Sequence, residues 1–399
     1  MPVASEQPTP VANAPPAALE TIALQWTRIG VTGFGGPPAH IALLRQLVVQ
    51  RRRWLEEREF EDAIAACNLL PGPASTQLAI FCARRLAGPL GAVVGGLGFV
   101  APAVVLIVAL SALFLSHAPP AWVRGAGAGA GSAVAAVAVQ AGLGLLGPSW
   151  GRTAGRPAGR ARWIAYVGLG AAAAALVGPY LVLVLLGCGL VELAARGRVF
   201  ASAWLPSVGL PLAAGLAGAG AGGLVSLAWV AFKVGALSYG GGFVIVPLMQ
   251  GDAVHVYHWM SSTQFLNAVA LGQVTPGPVV STVAAVGYAA HGVGGAALAA
   301  LIGFAPSFLF VAVAGGRFEW LRESVRAQAF LGGAGPAAVG AIIGAAVPLA
   351  GALSETWQFV LLAVAAVALV GLRRGIVVTL VGAGVVGAVV ALAGGPLPR

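Results

Sequence analysis

Eight stretches of this chain, residues 89–115, 125–147, 163–178 and 180–195, then 293–316, 328–351, 357–371 and 375–395, are apolar almost without interruption. Each approaches the ~20 residues a helix needs to cross ~30 Å of hydrocarbon. Backbone there must bond within its own segment, which favours helices. The chain therefore reads as an all-α polytopic membrane protein. Only 9% of its 399 residues are charged, too few to clothe a water-soluble surface. Its many glycines lie inside the apolar runs, as from Ala126 to Gly147, where small residues let helices approach closely.

The net charge of +10 comes almost wholly from arginine placed between the apolar stretches. That pattern marks loops kept in the cytoplasm, and nucleic acid is not an expected partner. Residues 1–17 are rich in Ala and Pro, lack a basic segment followed by an apolar one, and read as a disordered tail. Cys67, Cys82 and Cys188 have no CxxC or His/Cys spacing, so packing is their expected role, with no metal and no cofactor. The one lysine, Lys233, excludes a GxxxxGK[ST] phosphate loop, and there is no HExxH, GxSxG or paired-carboxylate motif in an apolar run. An enzyme is not expected.

The string from Gly30 to Gly36 (GVTGFGG) recurs 205 residues on, from Gly235 to Gly241 (GALSYGG). The same offset pairs Arg28 with Lys233, Trp54 with Trp259, Phe60 with Phe265, and Pro71-Gly72-Pro73 with Pro276-Gly277-Pro278. It also pairs Gly98-Phe99 with Gly303-Phe304, after which one deletion brings Pro102 against Pro306. Glycine doublets alone would mean little in so Gly-rich a chain. A Pro-Gly-Pro triplet and a tryptophan pair in one register read as duplication. The expected units are a repeat over 18–199, a linking transmembrane segment over 200–223 and a second repeat over 224–395.

In the first repeat arginines occupy 51–53 and 58, 84–85, 152–162, and 196 and 198, while the turns near Pro119 and Pro179 are nearly bare. The second repeat reverses this: His255 to Ser262 and the turn at His291 hold none, whereas Arg317 to Arg326 and Arg373-Arg374 fall opposite the bare turns. Since arginine-rich short loops stay in the cytoplasm, the repeats are expected to have inverted topology, an architecture of secondary transporters. The amino terminus is then inside and the carboxyl terminus outside.

Segments 62–86 and 267–291 are broken by Leu-Pro-Gly-Pro and Thr-Pro-Gly-Pro. Arginines flank the first at both ends, which favours a re-entrant hairpin, with a kinked spanning helix as the alternative. A helix restarting after each break, with Ser75, Thr76 and Gln77 in one copy and Ser281 and Thr282 in the other, points free N–H groups and hydroxyls inward. Plain helix capping would explain any one of these serines. Gly72 and Gly277 are expected to let backbone approach an anion, and the breaks at Gly35-Gly36 and Gly240-Gly241 supply a second pair of helix ends. Arg28 and Lys233 lie in apolar sequence with no carboxylate in the same stretch, so they are expected to carry substrate charge, snorkelling to an interface being the alternative. His40 follows the first break and is either a proton-coupling group or a hydrogen-bond donor. The expected ligand is a small dianion.

These strings resemble the chromate ion transporter family in its long, two-domain form. The resemblance rests on residues 33–41 (GFGGPPAHI), 70–77 (LPGPASTQ), 238–243 (SYGGGF) and 273–278 (QVTPGP). It implies chromate efflux across a bacterial inner membrane, chromate resistance and exchange against protons. Sulfate or another oxyanion, running inward, is the alternative. Membrane lipid and a second copy of the chain, as a homodimer, are the further expected partners. The second copy departs from the first at Ile245, which stands in register with His40.

Overall fold

The computed structural model describes residues 17–398 apart from 69, 71, 117–118, 152, 154–156, 177, 197–222, 239–242 and 315–323. Nearly all of the expected tail and linking segment, and Gly240 and Gly241, lie outside the described residues. The regular elements described are all helical. The first half holds α1 (Leu19–Thr32), α2 (Pro37–Arg45), α3 (Glu57–Cys67), α4 (Ala74–Phe114), α5 (Ala121–Gly151), α6 (Pro157–Leu176) and α7 (Leu181–Ala195). The second holds α8 (Leu224–Leu237), α9 (Ile245–Gln250), α10 (Ser262–Val274), α11 (Thr282–Ala314), α12 (Val325–Gly344), α13 (Ala346–Gly351), α14 (Thr356–Ala366) and α15 (Ile376–Leu392). Among the described residues, four stretches, Ala74–Phe114, Ala121–Gly151, Val279–Val313 and Val325–Gly351, are long and apolar enough to cross a membrane by length and composition.

The 205-residue repeat is visible in the backbone. A turn of π-helix follows α2 at Gln46–Arg51 and another follows α9 at Gly251–Val256. After each, one residue takes positive φ, Arg53 at 51° and His258 at 53°. Trp54 N–H then bonds the Val48 carbonyl, and Trp259 N–H the Ala253 carbonyl.

Both broken segments reverse direction. Glu59 on α3 pairs with Arg85 on α4, so the two ends of the first segment meet while Gly72 stands at the tip between them. α3 and the 74–86 arm of α4 are each about 17–20 Å long at ~1.5 Å per residue, too short to span a bilayer. The chain turns again at Ala87 and Gly88, whose φ values of −143° and 63° leave the helical region. Beyond that turn the 89–114 arm folds back onto 74–86. A Cβ at Gly95 would strike the Ala83 methyl, and one at Gly96 would come 2.9 Å from Ile80. His291 (φ −146°) and Gly292 (φ 60°) make the equivalent turn in α11.

This placement corrects the register read from sequence. Ala87 matches His291 and Gly88 matches Gly292, so the single deletion lies upstream of Ala87, not between Phe99 and Pro102. The second repeat's arm, 279–290, is one residue shorter than 74–86, but it opens with a 3₁₀ turn at Val279–Ser281. A 3₁₀ turn rises ~2.0 Å per residue against ~1.5 Å in an α-helix, so three such residues restore the lost ~1.5 Å. Both arms come to about 20 Å.

The halves interlock. α5 packs on α15, where Gly125 and Gly129 of one lie against Gly387 and Ala383 of the other in antiparallel register. The equivalent contact is α12 on α7, with the Phe330 ring over Gly189 and Gly333 against the Cys188 carbonyl. α4 packs on α11, Gly96 meeting the Phe308 ring while Arg84 Nη1 donates to the Val311 and Ala312 carbonyls. Cys67, Cys82 and Cys188 are free thiols inside this packing.

Candidate anion site

α1 stops at Gly33, and Gly35 and Gly36 take φ values of 101° and 74° that only glycine adopts without strain. Pro37 and Pro38 then open α2, where the missing N–H groups cost nothing. This break throws the buried His40 ring back over Gly33: its Nε2 lies 2.9 Å from the Gly33 carbonyl and its Nδ1 3.3 Å from Ser75 Oγ. A carbonyl only accepts, so in neutral His40 the proton sits on Nε2 and Nδ1 accepts from the Ser75 hydroxyl. A Cβ at Gly33 would stand 2.6 Å from the His40 ring, which is why glycine is required there.

The same Gly33 carbonyl accepts the N–H of Gly277 at 3.0 Å. The tip of the second hairpin is thus tied to the end of α1. Tip contacts are exchanged between the halves: the Cβ position of Gly72 lies 3.5 Å from the Gly235 carbonyl, and that of Gly277 lies 3.6 Å from the Gly30 carbonyl. Gly235 is Gly30 displaced by 205. Both tip glycines have positive φ, 113° and 103°, and a Cβ would also meet Gln77 Nε2 at 2.5 Å or the Ala103 methyl at 2.6 Å.

Behind each tip a helical segment restarts, and Ser75, Thr76, Gln77, Ser281 and Thr282 are all buried to within 1% exposure. Thr282 donates to the Val279 carbonyl. Thr76 Oγ1 and Ser281 Oγ, equivalent under the 205 offset, have no hydrogen-bond partner among the described residues, and the turn carrying Ser281 packs against α4. A buried hydroxyl left unpaired costs free energy that a bound acceptor recovers.

The two cations sit in unlike places. Lys233, on α8, is 8% exposed and forms an ion pair with buried Asp252 from the π-turn after α9. This overturns the expectation that no carboxylate is available to it. Asp252 is 19 residues away on a different element, outside the apolar stretch that holds Lys233. Arg28 instead stands on the exposed face of α1.

Sequence reasoning also missed Ser238 and Gln273, buried polar residues with Ser238 Oγ and Gln273 Nε2 unpaired among the described residues. Their position next to the aromatic-Gly-Gly and Thr-Pro-Gly-Pro breaks was the available signal.

A family model described as chromate transporter matches residues 21–193 and 225–388. The chromate transport protein of Cupriavidus metallidurans is 30% identical over 351 residues, 85% of this chain and 84% of the relative. A probable chromate transport protein of Synechococcus elongatus is 28% identical over 84% of this chain and 85% of its own length. The chromate transport protein of Pseudomonas aeruginosa is 28% identical over 87% and 85% respectively. No solved structure matches.

Proposed function

The chain belongs to the chromate transporter family, a multi-pass membrane protein and not an enzyme, and from that premise we propose that it exports chromate across the bacterial cell membrane and so confers chromate resistance. The observation that carries the site is the exchange of glycine tips between the halves, with Thr76 and Ser281 behind them as buried hydroxyls that are unpaired among the described residues. A tetrahedral dianion held there would accept from those hydroxyls and from N–H groups at the two helix starts. Lys233 supplies charge from the second half, balanced by Asp252 when the site is empty, and Arg28 belongs to the approach.

Inverted repeats are part of this reading. The early part of the 89–114 arm lies beside the later part of the 293–314 arm through Gly96 with Phe308, as equivalent helices running in opposite directions would, and Arg84 from the 74–86 arm reaches the same helix at Val311. The arginine pattern supports the same arrangement. Repeats over 18–199 and 224–395, embedded in lipid and paired with a second copy of the chain, complete the proposal. A potential of ~100 mV, inside negative, is worth ~2.3 kcal/mol per charge, so a dianion gains about twice that on leaving.

Flux of labelled chromate and labelled sulfate in inverted and right-side-out vesicles tests this. Chromate should enter inverted vesicles faster than right-side-out ones. Sulfate entry into right-side-out vesicles, without chromate flux, would establish the inward oxyanion alternative. Proton exchange at His40 adds that a proton gradient, acid inside inverted vesicles, accelerates chromate entry; a slowed entry would mean that proton and anion travel together.

A further inference from the structure

We propose that the cavity enclosed by the ends of α5, α6 and α7 and by α12 is a second oxyanion site, taking the phosphate of an anionic lipid headgroup or a free tetrahedral anion. The cavity measures about 340 Å³ and is lined by Arg162, Arg196, Glu192, Tyr166, Ser149 and Gly332 among others.

Its chemistry is organised around one buried carboxylate. Glu192 is 3% exposed and accepts from Arg162 Nε at 2.6 Å and Nη2 at 3.2 Å, from Arg196 Nε at 2.8 Å, and from the Tyr166 hydroxyl at 3.2 Å. Two guanidinium groups share one carboxylate, so the cluster carries a net positive charge. Arg162 Nη1 and both terminal nitrogens of Arg196 keep N–H groups that Glu192 does not use, and planar guanidinium forks suit a phosphate-like anion.

The surroundings are shaped for this cluster. A Cβ at Gly332 would stand 2.9 Å from Arg196 Nη2, and one at Gly333 would stand 2.8 Å from Glu192 Cβ, so the glycine pair lets α12 close over the charges. Trp163 Nε1 donates to Ser149 Oγ at 3.0 Å, and its ring meets Trp150 edge-on at 4.9 Å with Arg160 over the Trp150 face. Tryptophans and arginines together mark the depth of lipid headgroups, where basic pockets between helices hold anionic lipid.

The cluster stands outside the duplicated machinery. α14 and α15, at the places of α6 and α7 in the second repeat, carry no ionisable side chain. The inference therefore does not rest on the hairpin tips or on chromate as substrate.

The test uses the full chain in detergent, with wild type, Arg162→Gln and Arg196→Gln compared in two arms. In the first, native mass spectrometry follows phosphatidylglycerol against phosphatidylcholine of the same chains. In the second, delipidated protein is heated with and without millimolar sulfate or inorganic phosphate. Wild type should prefer phosphatidylglycerol, or be stabilised by the free anions, and each variant should lose that response about tenfold. A response in the first arm alone identifies a headgroup; one in the second alone identifies a free anion. Gly332→Val keeps every charge while crowding Arg196, and serves if an arginine variant fails to accumulate. Equal responses from wild type and folded variants in both arms, or none from any, would overturn the site.

Discussion

Both lone pairs of the Gly33 carbonyl are engaged, one by His40 Nε2 and one by the Gly277 N–H. His40 therefore touches α1, the start of α4 through Ser75, and the second hairpin at one remove. Protonation would turn Nδ1 into a donor toward Ser75, free the Ser75 hydroxyl to donate elsewhere and add a positive charge. Burial holds the His40 ring below the ordinary histidine range, so chromate affinity should rise only as pH falls below that range, and His40→Gln should flatten the profile relative to wild type. A loss of about 1.5–3 kcal/mol for a hydrogen bond to a charged group corresponds to roughly ten- to a hundredfold in affinity. An unchanged profile in His40→Gln would remove the histidine from coupling. Lys233 and Asp252 call for a paired experiment. Removing one member of a buried pair strands the other charge, at about 3–5 kcal/mol. Lys233→Gln should therefore lower the thermal midpoint sharply, Lys233→Gln with Asp252→Asn should recover most of it, and chromate flux should stay lost in both. Flux recovered in the double variant would reassign the pair to folding.

At the scale of elements, the hairpin tips work because glycine meets two separate demands there. Gly72 and Gly277 need positive φ, and each needs room, Gly72 against Gln77 behind it and Gly277 against Ala103 of the opposite half. Gly88 has positive φ as well, but a Cβ there would meet nothing within 4 Å. Alanine at Gly88 should cost only backbone strain of about 1–3 kcal/mol, visible as a lower melting temperature with flux largely retained. Alanine at Gly72 or Gly277 should cut flux at least tenfold in protein that still inserts. Equal losses at all three positions would mean that strain alone matters and that tip contact does not. The tips were legible in sequence because Pro-Gly-Pro is a local signal and local chemistry determines a turn. The second turn, at Ala87-Gly88, was not: nothing in Leu86-Ala87-Gly88-Pro89 separates a reversal from a kink until Ala83 is seen against Gly95.

For the whole molecule, exchange of packing between halves, α5 on α15 and α12 on α7, makes neither repeat complete alone. The two-fold relation proposed for the halves would require this, since each contact would then occur twice. Glu57 and Ser262 are equivalent positions at the entrances of the two hairpins. Cysteines placed there, after Cys67, Cys82 and Cys188 are replaced, should react with an impermeant thiol reagent from the cytoplasm at Glu57 and from outside at Ser262. Reaction of both from one side would exclude inverted repeats and leave only duplication.

The sequence by itself determined the apolar helices, because hydrocarbon demands ~20 uncharged residues and an internally bonded backbone. It displayed the 205-residue register, which survives in glycine, proline and tryptophan, residues whose roles few others can fill. Only the tertiary structure decided that Lys233 is neutralised by Asp252 while Arg28 is exposed, that Gly277 bonds Gly33, and that a 3₁₀ turn absorbs the lost residue. The physical reason is common to these: a charge, a carbonyl or a helix rise takes its meaning from what stands beside it in space, and those neighbours come from elements distant along the chain.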